Sequence, residues 1–124
     1  MTPNTLLLRQ AHPNFIDRGR ITSQVFLPFP KDEGKLSVYD GDQITAADAH
    51  AHYTTVLGYQ SHSVWAVMKQ EADGAGVPAE PDPLPEFPAH AAIDFSRQPP
   101  PDWRKIAKRL QACALTRGCQ HLPA

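Results

Sequence analysis

The sequence contains no apolar run approaching the roughly 20 residues of a membrane-crossing helix. Its one leucine cluster, Leu6-Leu7-Leu8, is too short for the apolar core of a secretory leader. These absences point to a cytoplasmic protein that does not enter a membrane. Cysteine is nearly missing as well: Cys113 and Cys119 are the only two, which excludes the multi-bridge framework of a small secreted domain. No Cys-x-x-Cys occurs, and no two histidines stand four apart. His50 and His52 are two apart, so on a helix they do not share a face. Asp40-Gly41-Asp42 has the look of a calcium-loop fragment but lacks the further oxygen ligands and the closing glutamate. No metal and no cofactor are called for. An excess of either charge is also lacking, because 12 lysines and arginines face 13 aspartates and glutamates. The chain as a whole is therefore not an electrostatic match for nucleic acid, and four basic residues on one late helix face read as a solvated surface.

What remains is a chain of 124 residues, 41% of them hydrophobic, enough for a single domain over 1–124. Leu6 to Leu8 predict a short strand that His12-Pro13 ends, since the residue before proline is pushed out of helical geometry. The alternation from Arg20 to Leu27 predicts a second strand, and Leu36 to Tyr39 a third. Thr45 with Asp48 three residues later predicts a helix N-terminus, and the stripe Ala46, Ala49, Tyr53, Val56, Leu57 extends that helix to about Leu57, before Gly58. Val64 to Met68 is apolar on both faces and predicts the middle strand of a sheet. Ala91 to Phe95 predicts another strand. Asp102 is placed as the N-cap of a final helix that carries Trp103, Ile106, Ala107, Leu110, Cys113 and Ala114 on one face and stops at Gly118, with a possible edge strand in the tail from Cys119 to Leu122. The fold class expected is α+β, a small two-layer sandwich of ferredoxin-like β-α-β-β-α-β order with extra N-terminal strands.

Two stretches carry candidate function. Glu71 to Pro88 holds five prolines, two glycines and five acids without a lysine or arginine, so 71–90 is expected to be a long acidic, proline-rich loop. Within it Glu80, Asp82 and Glu86 surround Leu84 and Phe87, a pattern of apolar anchors inside a charged rim. Either these five contact a protein partner with a basic surface, or Leu84 and Phe87 cover the chain's own core. The second stretch runs from Arg9 to Gln24. If the two N-terminal strands pair, Arg9, His12, Arg20 and Ser23 gather at one end, a set suited to a phosphate or carboxylate. The plain alternative is that the arginines pair with Asp17 and Asp32, and His12 ends a strand.

Arg9, Thr22-Ser23 and Gln70-Glu71, in that order, are similar to the arginine, serine-threonine-serine and glutamate layout of ADP-ribosyltransferases, without the second acid or glutamine of the glutamate motif. Arg9 to Pro13, Arg20 to Gln24, Lys31-Asp32, Leu36 to Asp42 and Thr116-Arg117-Gly118 together resemble a group of small uncharacterised bacterial single-domain proteins. That resemblance implies a bacterial single-domain protein and transfers no site. The leading expectation is a non-enzymatic protein-binding or regulatory accessory module, with an immunity-type protein as one form of it. The alternative is a small enzyme or ligand-binding domain acting on a phosphate-bearing or nucleotide-like substrate through Arg9, His12, Arg20 and Ser23. The oligomeric state is left open.

Overall fold

The computed structural model describes residues 1–123. Among the described residues there are seven strands, β1 (Leu6–Ala11), β2 (Ile16–Asp17), β3 (Arg20–Ile21), β4 (Lys35–Asp40), β5 (Ser63–Met68), β6 (Ala79–Pro81) and β7 (His90–Asp94), and three α-helices, α1 (Ala46–Ala51) after β4, α2 (Lys69–Gly74) after β5 and α3 (Trp103–Arg117) after β7. Five strands form one antiparallel sheet in the order β5-β1-β4-β7-β6, and β2 pairs with β3 in a separate small hairpin. The class is α+β. The strand order is not ferredoxin-like: that arrangement would set β5 beside β7, whereas β1 lies against β4 and carries β5 outside it.

Strand alternation divides the core. Leu7, Leu36, Val38, Val67, Ala91 and Ile93 point to the face covered by α3 and α2, where Ala107, Leu110 and Ala114 are buried and Trp65, Trp103 and Ile106 pack against them. Leu8, Tyr39, Val64 and Ala66 point to the other face, covered by Ala49 of α1 together with Tyr53, Phe87 and Ala89.

Several sequence expectations change for local physical reasons. The strand expected over Arg20 to Leu27 ends at Ile21, and Ser23–Phe26 curls into a 3-10 turn. Val25 and Phe26 are both fully buried, and neighbours on a strand would face opposite sides, so the turn is what lets both enter the core under α3. The N-terminal strands do not pair with each other: β1 pairs with β5 and β4. Val64 to Met68 is an edge strand, β5, rather than the middle one. Its two apolar faces are explained by α3 on one side and α1 on the other, while the His121 bridge and the Gln120 N–H shield its outer edge at Val64. The expected loop over 71–90 contains α2, β6 and a tight Leu84–Phe87 turn. Glu71 accepts from the Met68 N–H at 2.6 Å and Lys69 pairs with Asp73 at 2.7 Å, so two of the acids build α2. Pro81 is tolerated because β6 is an edge strand.

Thr45 caps α1 as expected, its hydroxyl accepting from the Asp48 N–H at 3.1 Å. After Ala51, however, the helix widens into a π-turn over His52–Val56. The extra residue in that turn rotates the stripe, so Val56 and Leu57 leave the core and stand at the surface. Asp102 lies at the end of a 3-10 turn (Pro100–Asp102) leading into α3, with helical backbone angles and no side-chain cap.

Candidate functional site

Three segments wall a cleft of about 480 Å³ over the sheet face that carries Tyr39. The π-turn contributes Tyr53, with Leu57 at its end and Tyr59 just beyond Gly58; the Leu84–Phe87 turn contributes both of its end residues; the Pro30–Asp32 turn contributes Lys31 and Asp32, with Phe29 before it. The floor is Arg9, Ser37 and His90, the first residue of β7. A second hollow, of about 580 Å³, shares Leu57, Leu84 and Phe87 and adds Val56, Pro85 and Glu86. Of the seven large hydrophobic side chains exposed among the described residues, five (Phe29, Val56, Leu57, Tyr59 and Leu84) rim these two joined hollows. Scattered exposed apolar residues are ordinary, but their concentration at one concavity is a feature of binding sites.

Arg9 is held where β1 and β4 diverge. The two strands pair only at Leu7↔Asp40 and Leu8↔Tyr39, and beyond that point the guanidinium bridges the gap, donating through Nε to the Val25 carbonyl at 2.7 Å and through Nη1 to the Ser37 carbonyl at 2.8 Å. No carboxylate forms an ion pair with it among the described residues. Burial lowers its pKa below the ordinary arginine value, opposed by Tyr53 and Asp32. Burial also raises the Tyr53 and Tyr39 phenols, which stay protonated and able to donate. Tyr39 lies 2.7 Å from His52 Nδ1. Beneath the cleft, Gln10 lines a hollow of about 30 Å³, room for one water molecule. Its Oε1 accepts from Ser61 at 2.6 Å, and its buried Nε2 meets no partner among the described residues.

His90 occupies the centre of a polar line across the floor. Its Nδ1 lies 2.8 Å from the Asp82 carbonyl oxygen and 3.3 Å from Asp82 Oδ2, and its Nε2 lies 3.1 Å from Ser37 Oγ. Both groups at Nδ1 are acceptors, so the tautomer with its proton on Nδ1 satisfies them and leaves Nε2 to accept from the serine hydroxyl. Phe87 packs on this ring and on those of Tyr39 and His52, with centroid distances of 4.9, 4.5 and 4.7 Å.

The residues singled out from sequence fall in different places. Of the partner-binding set, Glu80, Asp82, Leu84 and Glu86 are exposed, whereas Phe87 is half-buried against the core. Arg9, His12, Arg20 and Ser23 do not share a pocket. Arg9 lines the cleft; His12 accepts the Asn14 N–H at 3.0 Å and sets its ring at a tilt against Phe15; Arg20 and Ser23 line a separate hollow with Arg18, Thr22 and Gln111. Glu71, the glutamate of the transferase-like layout, is elsewhere again, paired with Arg117 at 2.8 Å. The exposed Arg104, Lys105, Lys108 and Arg109 lie along α3, away from the cleft.

Sequence reading missed Ser37, Tyr53 and His90 as site residues. Two signals were available: Ser37 interrupts the apolar run Leu36-Ser37-Val38-Tyr39, and His90 precedes the apolar strand it opens. No three histidine, cysteine or acidic side chains stand together as a metal site among the described residues, and none of their helices is long and apolar enough to cross a membrane. Comparison with protein-family models, with curated proteins and with solved structures finds no match for this chain.

Proposed function

We propose that the chain is a binding module that takes an apolar segment of another protein into the cleft, the partner's basic residues meeting the acids outside it. The observation that carries this reading is the gathering of Phe29, Val56, Leu57, Tyr59 and Leu84 around one concavity. Apolar burial there supplies the holding energy. Exposed Glu80, Asp82 and Glu86 border Leu84, and no lysine or arginine occurs from Gln70 to Ser96, so the rim favours a basic partner and steers its approach. The prolines on either side of Leu84 limit the conformations lost on binding.

Selection of random 12-residue peptides on the immobilised protein, with counter-selection on a Leu57→Ser, Leu84→Ser variant, tests the reading. The expected winners pair apolar residues with flanking lysine or arginine and bind the variant at least about tenfold more weakly. Winners without that pattern, or with equal affinity for the variant, overturn it.

A further inference from the structure

The Asp82–His90–Ser37 line supports more than binding. We propose that Ser37 is a nucleophile and that the cleft hydrolyses carboxylic esters bearing an apolar acyl chain. The geometry has the parts that acyl transfer needs. A hydroxyl stands 3.1 Å from an imidazole nitrogen, and the opposite nitrogen is oriented by the Asp82 carbonyl oxygen at 2.8 Å and its carboxylate at 3.3 Å. Ser37 is exposed to the cleft rather than buried in the sheet. Arg9, which donates through Nη1 to the main-chain carbonyl of Ser37 at 2.8 Å and lines the same cleft, brings a positive charge to the site. Leu57, Leu84 and Phe87 provide an apolar wall for the acyl chain.

The chemistry balances without a cofactor. Ser37 Oγ attacks the ester carbonyl carbon as its proton passes to His90 Nε2, and the carbonyl π pair moves onto oxygen, where the Arg9 charge stabilises it. Collapse of that adduct breaks the bond to the alcohol oxygen, which leaves with the proton from Nε2 and yields acyl-Ser37. Water then attacks the acyl carbon, losing a proton to His90 Nε2, and the second collapse breaks the bond to Ser37 Oγ, which takes that proton back as the carboxylic acid is released. The net change is ester plus water to acid plus alcohol.

This goes beyond the binding reading and fails separately from it. The test uses p-nitrophenyl butyrate and octanoate for turnover and an alkyl fluorophosphonate for covalent capture. Expected are measurable ester hydrolysis, a loss of roughly 100-fold or more in kcat/KM in Ser37→Ala with an unchanged melting temperature, and a phosphonyl adduct mapped to Ser37 that requires His90. The adduct is read by mass, so it reports on Ser37 even where His90→Ala loosens the turn. Equal turnover by wild type and Ser37→Ala, no turnover at all, or label on any residue other than Ser37 overturns the proposal.

Discussion

Arg9 is the side chain through which β1, β4 and the Ser23–Phe26 turn are tied together, since one guanidinium donates to both the Val25 and Ser37 carbonyls. A lysine has a single donor head and cannot span the two acceptors as a planar fork does. Arg9→Lys is therefore expected to destabilise the fold by about 1–3 kcal/mol, read from the urea midpoint, because a half-buried charge keeps one hydrogen bond and leaves an acceptor unmet. Glu71 gives a pH signature. Burial pushes its carboxyl up, but the bonds from Arg117 and the Met68 N–H outweigh that and hold it below the ordinary glutamate value. Folding thus disfavours protonation of Glu71. Its contribution is complete above the unfolded-state value and is lost as the pH falls through the depressed folded-state one. Thermal melts across that acidic range are expected to show a smaller fall for Glu71→Gln than for wild type, and parallel falls would refute the assignment. Neither partner of Arg9 could be read from spacing, since Val25 is 16 and Ser37 is 28 residues away.

At the scale of elements, α3 is the part most legible in the sequence. Its single apolar face, its basic opposite face and Gly118 are all local signals, and the helix runs to Arg117 with Gly118 at positive φ. Leu110 is fully buried between α3 and the sheet. Leu110→Ala is expected to cost about 2–5 kcal/mol in chemical denaturation, and a loss under about 0.5 kcal/mol would mean that this face is not the core. The helix after Thr45 was legible only in its beginning. Thr45 caps it through an atom three residues away, but the widening at His52 answers to tertiary demands: Tyr39 takes a hydrogen bond position on His52, and Phe87 packs on both. A stripe drawn at 3.6 residues per turn therefore misplaces Val56 and Leu57, two of the five apolar side chains that rim the joined hollows. The same competition ended the Arg20–Leu27 strand early, where burial of adjacent Val25 and Phe26 outweighed ladder formation.

At the scale of the molecule, the cleft divides its two apolar anchors between stability and binding. Phe87 is half-buried among Tyr39, His52 and His90, so Phe87→Ala is expected to lower stability by about 2 kcal/mol. Leu84 is exposed, and Leu84→Ser should stay within about 0.5 kcal/mol of wild type while weakening selected peptides. Denaturation and peptide affinity measured on both variants check the division, and a stable Phe87→Ala would contradict the packing seen here. By itself the sequence determined the α+β class, the cap at Thr45, the amphipathic final helix and the acidic rim, because periodicity, capping and composition act between residues close in the chain. The tertiary structure alone decided that β1 lies beside β4, that β5 is an edge strand, and that Arg9, Ser37 and His90 meet across one floor. Those juxtapositions join positions 28 and 53 residues apart, and they are selected by which apolar faces can be buried together, a condition that belongs to the whole chain and to no window of it.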